Sequence, residues 1–246
     1  MNKRKIFVAT TVMAIIVTLF SGCTFNITGG VEGVGEMVSR SFDVEDFSSI
    51  DITGAFEVTW RQDDSRSVAV EAQENLLELL QVEVTTFGTL VISFSENITV
   101  RNRENTPRIY INSPHLEIAN FGGASDTVNW DKIIADTFSL SASGASNINL
   151  DLEVETLNIS TDGASDINLG GTAGSAVISV SGAANISAAR LQIRDAAVVV
   201  SGAADVNIAV SDNLDVTVTG AGTVRYSGDP VVTQDISGAG SLVRVD

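Results

Sequence analysis

The chain has 246 residues, enough for one large domain or two ordinary ones, and its 44% hydrophobic and 18% charged content is that of a chain that folds. Thirty-one acidic against fourteen basic residues leave a formal charge of −17, which repels nucleic acid and bare anionic lipid. The single cysteine, Cys23, excludes an intramolecular disulfide. The single histidine, His115, excludes multi-histidine metal centres and leaves little for histidine catalysis, so no cofactor is expected.

Lys3, Arg4 and Lys5 precede an uncharged stretch over residues 6–20, too short to span a membrane and typical of an export signal. It ends Leu19-Phe20-Ser21-Gly22-Cys23, small residues leading into a cysteine, which resembles the lipobox of bacterial lipoproteins. Phe20 is the one departure from that pattern. The competing reading is an ordinary cleaved signal with an incidental thiol, but an unpaired exposed thiol would be a liability, whereas acyl chains on Cys23 would anchor the domain to a membrane. Residues 1–22 are read as the signal, and their removal takes Lys3, Arg4 and Lys5 away, moving the charge from −17 to −20. Residues 23–40, rich in glycine, are read as anchor and flexible tether, and residues 41–246 as the folded domain.

Between residues 41 and 121 the chain is rich in rings. One Gly-Ala phrase, Gly54-Ala55-Phe56-Glu57-Val58, opens an alternating strand, and further strands are expected at residues 67–71, 81–86, 89–94 and 108–112. Leu76, Leu77 and Leu80 share a face of one or two helical turns over residues 74–80. Trp60 and Trp130 would stack on sugars if exposed; buried in a cap, they would be core.

From Gly123 onward a period appears. Gly123, Gly144, Gly163, Gly182, Gly202, Gly220 and Gly238 each precede alanine, at intervals of 18 to 21 residues. Alternating phrases such as Asn147-Ile148-Asn149-Leu150 and Leu157-Asn158-Ile159-Ser160 flank each pair, with no helical segment between them. Two or three short strands in about nineteen residues suit one coil of a β-solenoid, whereas a propeller blade needs roughly forty residues. The Gly-Ala pair reads as a sharp corner, glycine supplying positive φ and alanine allowing close stacking.

Three residues past these glycines stand Asp126, Asn147, Asp166, Asn185 and Asp205. Stacked in register, the amides would separate the carboxylates and hydrogen-bond to them as a polar ladder. A line of calcium sites is the alternative, although no calcium-binding glycine-rich repeat is present. Glu57, Asp126, Asp166 and Asp205 are also the carboxylates that a polysaccharide-acting enzyme would use, and His115, beside Pro114, is the only candidate imidazole base. No nucleophile elbow, phosphate loop or zinc-protease motif accompanies them, so a non-catalytic protein is expected. The chain ends on the strand phrase Leu242-Val243-Arg244-Val245-Asp246, either an edge defended by charge or a coil that pairs with another copy.

The ordered phrases Phe42-Asp43 through Phe56-Glu57-Val58, Glu74-Asn75-Leu76-Leu77, Gly88-Thr89-Leu90-Val91-Ile92 and Ser113-Pro114-His115-Leu116, followed by the Gly-Ala coils, resemble the autotransporter adhesin head, or head GIN, domain family over residues 41–246. The resemblance implies a single-stranded right-handed parallel β-helix in a bacterial envelope or surface protein, with adhesion as a label and no catalytic residues to carry over. The expectation is therefore a lipid-anchored, exported module that binds a neutral glycan or a protein, with a structural scaffold as the competing reading.

Overall fold

A computed structural model describes residues 30–95, 100–101 and 105–245. The expected export signal, Cys23 and the start of the expected tether lie outside the described residues. One compact unit spans Val31–Asp246. It opens with β1 (Val31–Glu32), β2 (Met37–Phe42), β3 (Ser49–Gly54), β4 (Glu57–Gln62) and β5 (Ser67–Gln73). The helix α1 (Glu74–Leu77) leads to β6 (Leu80–Val84), β7 (Thr89–Phe94), β8 (Val100–Arg101), β9 (Arg108–Ser113), β10 (Ile118–Gly123), β11 (Asp126–Thr127) and β12 (Ile133–Ala142).

The expectation of a tether through residue 40 does not hold at its C-terminal end, where β2 is a paired strand. β2 pairs antiparallel with β5, Met37 opposite Gln73 and Phe42 opposite Val68. The glycine-rich run before it is clamped by one side chain: Asn75 accepts from the Val34 N–H and donates to the Glu32 carbonyl, both at 2.9 Å. Composition signals flexibility there, but a distant amide satisfies the backbone.

The repeats then form β13 (Asn147–Thr161), β14 (Asp166–Val180), β15 (Asn185–Val200) and β16 (Asp205–Val218), followed by β17 (Thr223–Ser227), β18 (Val231–Ile236) and β19 (Ser241–Arg244). The expected two or three short strands per coil are merged: β13 to β16 each run 14 to 16 residues around a coil and stop only at the Gly-Ala corner. Gly171, at φ +104°, is the one residue within β13 to β16 at positive φ, and the pairing to the neighbouring coils continues on both sides of it. The coils stack in parallel register into a β-solenoid of about seven turns.

Two sheets result. The first holds the strand halves that follow each corner, in the order β9, β4, β11, β13, β14, β15, β16, β17, β19. The second holds the halves that precede it, in the order β7, β3, β10, β12, β13, β14, β15, β16, β18. At the N-terminal end both sheets turn antiparallel, through β5 and β2 on the first and β6 on the second. α1 joins those two extensions and buries Leu76 and Leu77, so chain covers that end of the core. The one or two helical turns expected over residues 74–80 are this single-turn helix; Leu80 already belongs to β6.

Alternation sets the core. Ile148, Ile167, Ile186, Val206 and Val224 form one fully buried column, and Leu140, Ile159, Ile178, Val198 and Val216 face it from the second sheet. Each such side chain contributes about 1.5–3 kcal/mol by leaving water, but only if the coils on either side are present. One core position is imperfect. Thr161 sits between Ala142 and Val180, is 2% exposed, and its Oγ1 has no hydrogen-bond partner. Thr161→Val keeps the shape and removes the stranded hydroxyl, so denaturant unfolding should show a gain of roughly 1 kcal/mol.

Candidate functional site

The corner glycines stand in one column. The N–H of the following alanine donates to the glycine carbonyl one coil earlier: Ala124 to Gly54 at 2.8 Å, Ala145 to Gly123 at 2.7 Å, Ala164 to Gly144 at 2.8 Å, and so on to Ala239 on Gly220 at 3.1 Å. Positive φ, the expected reason for glycine, holds only at Gly54, Gly123 and Gly238 of the eight. At Gly144, Gly163, Gly182, Gly202 and Gly220 the reason is close approach. A Cβ on Gly144 would stand 1.7 Å from the Gly123 oxygen, and one on Gly163 2.0 Å from the Gly144 oxygen. The same oxygen that accepts the next N–H therefore excludes a side chain.

Around this column the packing is reciprocal. The last inward residue before the corner grows from Ala142 through Thr161 to Val180, Val200, Val218 and Ile236. The residue two places past the corner glycine shrinks over the same coils from Ser146 and Ser165 through Ala184 and Ala204 to Gly222 and Gly240. A Cβ on Gly222 would meet Val200 Cγ1 at 2.6 Å. Gly222→Ala should cost about 1–3 kcal/mol, and adding Val200→Ala should recover part of that loss. A double-mutant cycle with no coupling would refute the size relation.

Asp126, Asn147, Asp166, Asn185 and Asp205 also lie in one register column, on the outer face of the first sheet, with Glu57 at its head and Thr223 and Ser241 at its foot. Asn147 donates to Asp126 Oδ1 through both its Nδ2, at 2.9 Å, and its backbone N–H, at 3.2 Å; among the described residues this is the one place in the column where a side-chain amide bonds a carboxylate. Glu57 instead receives Arg108 at 3.1 Å, and Asp205 receives Arg225 at 2.8 Å. Arg108, held first by Glu57 and then by Glu71, has its pKa raised by those bonds. Among the described residues no three His, Cys, Asp or Glu side chains gather into a metal site.

The tryptophans are packing residues. Trp60 is 1% exposed and its Nε1 donates to Ser113 Oγ at 2.8 Å, so it is not available to stack on a ligand. Trp130 is partly buried, donates to the Val58 carbonyl at 2.7 Å, and packs its ring 5.9 Å from Trp60 and 6.0 Å from Phe121. The bulk that suggested sugar binding instead fills the wide first coils.

A large concave surface lies where no candidate was expected. At the bend between the two sheets, a groove of about 780 Å³ crosses the coils. Its walls are two outward columns, Ile134, Glu153, Thr172 and Gln192 on one side and Asp136, Glu155, Gly174 and Arg194 on the other. Between them lie Ala135, Val154, Ala173 and Ile193. A recess of about 410 Å³ beside His115 and Glu117 shares Ile134, Ala135 and Asp136 with it. Arg194 reaches Glu155 at 3.3 Å over Gly174, and Asp195 at 3.0 Å. The Asn213 amide and then Arg194 hold the Asp195 carboxyl below the usual carboxylate range. These residues stand about nine to thirteen places after each corner glycine, so the period carried a signal for them, hidden because they sit mid-strand.

Beside the groove, two neighbouring columns on the outer face of the second sheet are free of charge over five coils, between Asp51 at one end and Asp215 at the other. The columns read Ile118, Ser139, Asn158, Val177, Ala197 and Asn120, Ser141, Ser160, Ser179, Val199. Five consecutive coils thus present hydroxyls, amides and small apolar groups on a chain of charge −17. The carboxylates singled out from sequence, Glu57, Asp126, Asp166 and Asp205, are on the other sheet and do not line the groove.

Solved structures share this fold. A Bacteroides fragilis protein described as a "putative adhesin" matches with a TM-score of 0.81 and 26% identity, over 88% of this chain and 100% of its own. A Parabacteroides distasonis protein described as a "putative lipid binding protein" matches with a TM-score of 0.73 and 22% identity, over 89% of this chain and 100% of its own. A Parabacteroides merdae "putative adhesin" has a TM-score of 0.67 and 21% identity, over 88% of this chain and 99% of its own. Comparison with curated protein sequences yields no match. Residues 46–230 match the family described as "Putative auto-transporter adhesin, head GIN domain", and the chain belongs to that family.

Proposed function

We propose that this chain is an exported bacterial envelope protein, anchored by lipid on Cys23, whose solenoid works as a non-catalytic adhesive module for neutral glycan. The observation that carries the reading is the pair of uncharged columns beside the groove. A strongly acidic protein repels acidic partners over most of its surface, and here two columns over five coils offer neutral donors, acceptors and small apolar patches. A pyranose chain has matching hydroxyls and C–H faces, and repetition along the axis supplies many weak contacts in series. The Lys3 to Cys23 segment supports export and anchoring, and family membership supports a place at the cell surface.

Binding of the full chain to arrays of glycans and matrix proteins tests the ligand. Saturable binding to neutral glycans, lost in Ser160→Arg/Ser179→Arg, is the expected result. Binding confined to proteins would change the ligand class, and silence on both would favour a structural scaffold. Labelled fatty acid should enter the wild type and not Cys23→Ala.

A further inference from the structure

The two ends of the solenoid are closed differently. At the N-terminal end, α1 and the antiparallel strands cover the core. At the other end β18 and β19 are, among the described residues, the last strands of their sheets, each paired on one edge only. The last coil is also apolar at its surface, with Val231 72%, Ile236 36% and Val243 42% exposed. An unpaired, partly apolar strand edge is a template for another such edge.

Two inward columns change character at this coil alone. The column Ile178, Val198, Val216 ends in Gln234, and the column Ala188, Ile208, Tyr226 ends in Arg244. Both last residues are exposed, and Arg244 is paired with Asp229. The remaining inward positions, Val232, Ile236 and Leu242, stay apolar.

We propose that Gln234 and Arg244 guard the open end, keeping a second copy of this chain from stacking on it. The covered N-terminal end leaves one symmetric way to stack, C-terminal coil on C-terminal coil about a two-fold axis. That contact would place two Gln234 amides and two Arg244 guanidinium groups in one buried layer among aliphatic side chains. Unpaired amides and like charges out of water make that layer unfavourable, while Val232, Ile236 and Leu242 alone would favour it.

Sedimentation velocity of the full chain over a range of concentrations provides the test. The wild type should stay monomeric through this end, and Gln234→Val/Arg244→Leu should self-associate at least about ten-fold more tightly, because it removes the buried amide and charge. Adding Leu242→Lys to that variant should return it to monomer. A double variant that keeps its β-rich circular dichroism and does not associate would overturn the proposal, as would a wild-type dimer that Leu242→Lys dissolves. If the double variant loses its β signal, Gln234→Val, which breaks no ion pair, is read by the same criterion.

Discussion

Gly163→Ala is expected to cost on the order of 4–5 kcal/mol, at the severe end for a single methyl group. Its Cβ would lie 2.0 Å from the Gly144 oxygen, and that oxygen is fixed by the Ala164 N–H at 2.8 Å. Relief requires the two coils to part, which breaks the corner bonds and opens the core between them. The neighbouring Ala164→Gly deletes an exposed methyl and should cost only about 0.5–1 kcal/mol, through backbone entropy. For a domain of this size each kcal/mol moves the melting temperature by about 2–4 °C, so the two variants should differ by roughly 6–18 °C. Equal melting temperatures would show that the corner is not close-packed.

Trp60→Ala should cost about 3–5 kcal/mol. Trp60 is buried, leans on Trp130 at 5.9 Å, and shares Ser113 Oγ through a 2.8 Å hydrogen bond. Its loss leaves a large cavity at the junction between the ring-rich first coils and the thin aliphatic ones. Trp60→Phe should keep much of the stability and lose the Ser113 bond, and the near-ultraviolet dichroism of the tryptophan pair should collapse in both. If Trp60→Ala unfolds at the same denaturant concentration as the wild type, the ring is not the support described here.

Much of this architecture was legible because a solenoid repeats its instructions. Asp126, Asn147, Asp166, Asn185 and Asp205 share an offset from their glycines in sequence and share a column in space. The strand over residues 89–94 and the short helix after Gln73 follow from local alternation and leucine spacing. What local pattern does not encode is long-range choice. β2 finds β5 across β3 and β4, with no local hairpin to bring the two together, and Asn75 clamps a glycine-rich run that composition alone marks as loose. The same limit explains the corner: glycine in sequence suggests a free φ, whereas the oxygen that demands it belongs to the coil before. The groove was hidden because strands that continue around a bend leave no punctuation, so Glu153, Glu155 and Arg194 read as ordinary outward positions. Trp60 and Trp130 were ambiguous because rings serve sugar binding and core filling alike, and only burial separates the two uses.

Deleting one whole coil tests the stacked-coil architecture most directly. Removing residues 163–181 joins Asp162 to Gly182 and takes out 19 residues, the offset at which Asn147 stands opposite Asp166. The corner and core columns of β13 would then meet those of β15, so the shortened chain should keep its β-rich dichroism and a single cooperative unfolding transition. Removing residues 163–172 instead leaves a partial coil that cannot close in register, and that chain should unfold. If both deletions are tolerated alike, or the whole-coil deletion is the more damaging, the coils do not stack as interchangeable units.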